Sequence, residues 1–212
     1  MKGTSIVFDA IAVERSDTFA FDVWYANHYV PAMLQSGAYL GVRRYASPVR
    51  GAYLGIFEAE TAPRASAIGP DIKQHESVLR GERYVAVQTT EQSAPDAPHD
   101  ILEASIAYPV LFRVPSDREA EFDAWYGEEH LDILLACPYW PMCRRFKVVN
   151  PAADSPTHIA LHYLTDLRAL ESDERTRARY TPWRGRLAQE PWFRGDYRVY
   201  HRYGPVLAAG TQ

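Results

Sequence analysis

Apolar positions set the first elements of this chain. In "SIVFDAIAV" they recur with the short period of a strand, which predicts a strand over 3–13. The period then lengthens. At about 100° per residue, Phe21, Trp24, Tyr25, His28 and Ala32 fall on one stripe, predicting a helix over 17–35 that Gly37 ends. Strands follow over 39–47 and 52–60, then a helix after Pro70 and a strand over 83–90. The pattern then begins again with a strand over 103–114. A helix follows behind the capping box "SDRE" at Ser116–Glu119, then strands over 142–149 and 157–164. Helical stretches cover 167–190, where "TPW" offers Thr181 as N-cap with proline next, and a strand covers 196–203.

The repetition extends to residue identities. "FDVWYANHYVPAML" begins at Phe21 and "FDAWYGEEHLDILL" at Phe122, 101 residues later. Superposed without gaps, residues 21–45 and 122–146 share seven identities and end together in "GVRRY" and "MCRRF". "AYLGIFEAE" then corresponds to "HIALHYLTD", and "LRGERYVAV" to "FRGDYRVYH". Four features in one order indicate a tandem duplication, residues 1–91 and 102–212, joined by the Pro/Ala/Asp-rich linker 92–101. Each half reads β-α-β-β-α-β, the ferredoxin-like split unit of an α+β protein. Such a sheet carries both helices on one face and leaves the other apolar. The expectation is therefore an intramolecular α+β barrel with the two sheets facing each other.

Composition narrows the function. With 23 basic against 27 acidic residues the net charge is −4, which excludes an electrostatic grip on nucleic acid. The most apolar run, "ILLACPYWPMC", has 11 residues and two prolines, well short of the roughly 20 of a membrane helix. Two cysteines, Cys137 and Cys143, make neither a disulfide framework nor a four-cysteine zinc site, and a reducing cytoplasm suits them. His158 and His162 share a strand face but stand about 13 Å apart, too far to chelate one metal. There is no HExxH, CxxC or glycine-rich phosphate loop. The expected partner is a small molecule, without cofactor, metal, nucleic acid or membrane. The chain is expected as a monomer containing a pseudo-dimer, or as a homodimer.

"WYGEEH" at Trp125–His130, "WYANHYVP" at Trp24–Pro31, the "RRY"/"RRF" pair and "YLGIFE" together resemble the dimeric α+β barrel superfamily, near its EthD-like members. That resemblance spans nearly the whole chain and implies a ligand cleft between sheet and helices in each half. Its members include cofactor-free isomerases, lyases, cyclases and monooxygenases, some haem enzymes, and proteins of unknown role.

The candidate chemistry lies on the repeated helix. His28 is in mid-stripe, where a buried imidazole is either a satisfied core group or a proton carrier. Pro31 cannot donate to Asn27 and is expected to break the first helix there, whereas Asp132 lets the second continue. In the second half periodicity makes Glu129 central, with a carboxyl raised by burial, while the resemblance favours His130. The candidate bases are His28 and His130, and the candidate donors are Tyr25, Tyr126 and Glu129. Trp24, Trp125, Asn27 and His162 would bind substrate. Arg44 and Arg145 would hold an oxyanion, or else pair with Asp22 and Asp123. The expected activity is acid–base catalysis on a small aromatic or polyketide-like substrate. The alternatives are a cofactor-free monooxygenase and a non-catalytic carrier of a small ligand.

Overall fold

The computed structural model describes residues 2–209 and divides into two compact units, residues 1–88 with 200–212, and residues 89–199. In the first, β1 (Ser5–Val13) is followed by a long helix, then β2 (Gly41–Ala46), β3 (Ala52–Ala59) and β4 (Val78–Ser93), whose last residues run past residue 88. Its strand order is β2-β3-β1-β4, with β3 and β4 both antiparallel to β1. In the second unit β5 (Ile106–Phe112), β6 (Met142–Val148), β7 (His158–Leu164) and the short β8 (Asp196–Tyr197) repeat that order as β6-β7-β5-β8. The chain is α+β, and each unit has the ferredoxin-like arrangement.

Each long helix is three segments. The first unit has α1 (Thr18–Trp24), a π-turn over Tyr25–Tyr29 and α2 (Val30–Gln35). The second has α3 (Glu119–Trp125), a π-turn over Tyr126–His130 and α4 (Leu131–Leu134). In each π-turn an N–H reaches back five residues, from Val30 to the Tyr25 carbonyl and from Leu131 to that of Tyr126. Pro31 was expected to interrupt only the first helix. The same widening occurs where Asp132 stands, so proline is not its cause.

The extra residue per turn rotates everything beyond it by about 100° relative to a regular helix. The buried face becomes Phe21, Tyr25 and Tyr29 in one unit and Phe122, Tyr126 and the half-buried His130 in the other. The two cores form around these residues. Phe21, Tyr25 and Met33 pack with Val7, Ile11 and Phe57, while Phe122, Trp125 and Tyr126 pack with Phe112, Trp140 and Leu164.

Local expectations held in part. Gly37 ends the first helix with φ at 70°, its N–H donating to the Leu34 carbonyl. Thr181 caps α6 (Pro182–Leu187), which follows α5 (Asp173–Arg179). The capping box does not form, because Ser116–Arg118 make a 3-10 turn ahead of α3 and no side chain caps it. Where a helix was expected after Pro70 there is a single 3-10 turn, Ile72–Gln74, and another, Ala65–Ala67, precedes the proline. Gly69 between them, at φ 89°, and Pro70 stop either from growing.

The segment boundaries also differ from the expected 1–91, 92–101 and 102–212. β4 continues to Ser93, and Ala94 then donates to the Pro141 carbonyl. The last strand splits into β8, β9 (Tyr200–Arg202) and β10 (Leu207–Ala208), and the latter two extend the edge of β2 in the first unit. Among the described residues no helix is long and apolar enough to cross a membrane.

Candidate functional site

A cavity of about 150 Å³ lies within the second unit. Aromatic rings from β5, α3 and the loops beside them, among them Tyr108, Phe112, Trp125, Trp140 and Phe193, form most of its wall. Tyr126, His130 and His162 bring polar atoms to it, and α5 and α6 add Arg175, Arg179 and Arg184.

The hydrogen bonds fix the protonation pattern. The Trp140 indole can only donate, and its Nε1–H reaches His162 Nδ1 at 3.0 Å. That nitrogen therefore holds a lone pair. Burial pushes the His162 pKa well below the ordinary histidine value, with His130 and Arg145 adding to the effect, so the ring is neutral. Its hydrogen sits on Nε2 and is donated to the Tyr126 hydroxyl oxygen, 2.9 Å away. Tyr126 is fully buried, and desolvation first, then Cys143, pushes its pKa well above that of a free phenol. It stays protonated, and with its oxygen already accepting from His162 it keeps its own hydrogen to donate.

His130 is the second polar group. Its ring stacks on Trp125 with centroids 4.5 Å apart and meets Tyr126 edge-on at 5.1 Å. Burial lowers its pKa to about 3, with the Arg184 charge the next cause, while a hydrogen bond with the Ala178 backbone works the other way. The imidazole is thus neutral, and Nδ1 is buried without a hydrogen-bond partner. Trp125 Nε1 is likewise buried and unpaired. Buried polar atoms are ordinarily satisfied. Two orphans on one cavity wall, beside a tyrosine with a spare hydrogen, suit a ligand carrying its own polar groups.

In the first unit the corresponding positions carry a hydrogen-bonded ion pair. With the helices in their 101-residue register, Tyr29 corresponds to His130 and Asp9 to Val110. The pairings Asp9–Arg83 and Val110–Tyr197 then bring Arg83 and Tyr197 to equivalent places. Val110 and Tyr197 line the cavity. Asp9, Tyr29 and Arg83 are instead bonded to one another: Tyr29 donates to Asp9 at 2.5 Å, and Arg83 Nε and Nη2 reach both Asp9 oxygens at 2.7 and 3.1 Å. Arg83 also donates to the Pro70 carbonyl at 2.9 Å.

Four of the sequence candidates, Trp125, Tyr126, His130 and His162, meet at the cavity. The others do not. The π-turn carries His28 to the surface and puts Tyr29 in its stead. Asn27 is exposed, its amide bonded to the Val23 carbonyl, and Trp24 packs against His75 with ring centroids 4.8 Å apart and the planes tilted by 50°. Tyr25 is buried in the first core with an unpartnered hydroxyl close over Gly55. Glu129 accepts a 2.6 Å hydrogen bond from Thr181, whose oxygen also caps α6. Arg44 pairs with Asp22 at 2.5 Å and stacks on Tyr25, while Arg145 pairs with Asp123 and lies over the Tyr126 ring. Both arginines take the structural alternative.

Sequence reasoning missed Tyr108, Trp140 and the three arginines. The arginines left a trace in "ERTRARYTPWRGR", where Arg175 and Arg179 are four apart on one helix face.

No protein-family model matches the chain, and no curated protein matches it by sequence. Solved structures do match its fold. An anthrone oxidase-like protein superposes with a TM-score of 0.69 at 11% identity, over 97% of this chain and 93% of its own. A chlorite dismutase mutant from Candidatus Nitrospira defluvii gives 0.60 at 11% identity, over 96% and 92%. A putative monooxygenase from Lactobacillus acidophilus gives 0.56 at 9% identity, over 98% and 97%. These likenesses show that the chain shares their fold.

Proposed function

We propose that the second unit is a cofactor-independent acid–base site for a small aromatic substrate bearing a carbonyl or hydroxyl group. The observation that carries this reading is the pairing of Tyr126, with a hydrogen to donate, and neutral His130, with an unpartnered nitrogen, on one aromatic cavity. A cavity of about 150 Å³ holds one benzene-sized ring, so larger substrates would extend out of it. A tetrapyrrole is far larger than this cavity.

With a ring seated against Trp125, the substrate oxygen accepts from Tyr126 and a neighbouring C–H or O–H proton passes to His130. Tyr126 then stabilises the enolate or phenolate formed. The depressed pKa of His130 sets the cost. A fall from 6.5 to about 3 makes protonating the empty site harder by about 5 kcal/mol. The negative charge formed beside the ring, with Trp125 Nε1 as a second donor, must offset that. Return of the proton to another atom completes an isomerisation, and loss of a neighbouring leaving group completes an elimination.

The names of two structural relatives, anthrone oxidase-like and monooxygenase, favour a second reading. In it the same carbanion is oxidised by O₂: an activated CH₂ becomes C=O, one oxygen atom entering and the other leaving as water. Incubating keto- and hydroxy-aromatics in D₂O with an oxygen electrode separates the two. Exchange without oxygen uptake supports the acid–base enzyme, coupled uptake supports the oxygenase, and binding with neither leaves a carrier. The matching helices and strand orders also support reading the chain as a tandem duplication of one EthD-like unit.

A further inference from the structure

Resting on this assignment of the cavity, we propose that the substrate is an aromatic acid whose carboxylate is held by Arg184 and Arg179. Three guanidinium groups from α5 and α6 line the cavity. Arg175 is engaged, bonded to the Tyr108 hydroxyl and donating to the Leu170 carbonyl at 2.7 Å. Arg184 and Arg179 are different. Arg184 donates Nη1–H to the backbone carbonyl of Arg179 at 3.0 Å, and among the described residues neither forms a salt bridge with a carboxylate. Two like charges line the same aromatic cavity, one of them half-buried, and form an arrangement that an anion completes. Burial and the Arg179 charge both work against the Arg184 cation, and a bound anion would relieve both.

The cavity size argues for the chemical class. It takes one ring, so the charged group must be attached directly or by a short link for the ring to sit on Trp125 while the anion reaches α6. A planar carboxylate accepts two parallel hydrogen bonds from a guanidinium fork. With the acid anchored there, the ring's oxygen substituent is left to Tyr126 and His130. The arginines would then fix the orientation of the substrate while the other pair moves the proton.

Benzoate, benzamide and phenyl phosphate, titrated against the fluorescence of the cavity tryptophans, test this. Benzoate should bind at least about tenfold tighter than benzamide, the low end for charge-assisted bonds at a partly exposed site. Arg184→Gln should bring benzoate to within about twofold of benzamide while leaving benzamide unchanged, and Arg184→Lys should retain part of the preference. Arg179→Gln, at an exposed position that does not endanger folding, should weaken benzoate alone. Equal binding of benzoate and benzamide would overturn the carboxylate claim and leave the ring site standing. Tighter binding of phenyl phosphate than of benzoate would overturn it in favour of a phosphorylated ligand. Failure of all three probes to bind would overturn it together with the cavity assignment beneath it.

Discussion

Acid should destabilise this protein through His130, and the size of the effect follows from its surroundings. In the unfolded chain the ring takes a proton below about pH 6.5, whereas in the folded state it does so only near 3. Its contribution is therefore intact above pH 6.5 and is lost as the pH falls toward 3. At pH 5 the loss amounts to about 1.5 units, or about 2 kcal/mol. His162, also neutral by burial, adds a second loss of the same sign. His130→Gln removes the first titration and keeps the second. Reversible urea unfolding at pH 8 and pH 5 should then show the wild type losing about 2 kcal/mol more than the variant. Equal losses would refute a buried, neutral His130 and remove the basis for its chemistry.

Other outcomes test the first unit. Arg83→Met leaves the fully buried Asp9 carboxylate with Tyr29 as its one side-chain partner among the described residues, and urea unfolding should show a loss of about 3 kcal/mol. Gly55→Ala places a methyl 2.4 Å from the Tyr25 hydroxyl and should cost about 1–3 kcal/mol. Tyr25→Phe should recover most of that in the double variant, since the hydroxyl it removes has no partner, and additive effects would contradict the contact. Thr181→Ala removes both the α6 cap and the hydrogen bond to Glu129, and should cost about 1–2 kcal/mol by thermal unfolding.

Periodicity and repetition carried the fold because strand and helix patterns report which side of each element is buried. They located seven strands and the shared helix, and the 101-residue register of the two helices is the one the structure displays, whereas the eighth expected strand is split into β8 and β9. They failed where one residue changes the phase. A π-turn leaves no mark in composition, so counting at about 100° per residue put His28 and Glu129 inward, whereas Tyr29 and His130 occupy that face. The likeness of "WYGEEH" to a known family pointed to His130 where periodicity did not. The contrast between units was legible only in hindsight. Asp9 against Val110, and Arg83 against Tyr197, decide whether these positions carry an ion pair or line a cavity, and strand register was needed to align them. The arginines of α5 and α6 lie far from the repeated motif in sequence, and nothing local shows that their helices cover it.

The most direct test of the central claim compares proton exchange into a keto-aromatic substrate across three variants. Tyr126→Phe and His130→Gln should each slow exchange by roughly 100-fold or more in protein that remains folded, and His28→Gln, on the surface of the other unit, should leave it unchanged. Undiminished exchange in both second-unit variants, or a comparable loss in His28→Gln, would contradict the assignment of the acid–base pair to Tyr126 and His130.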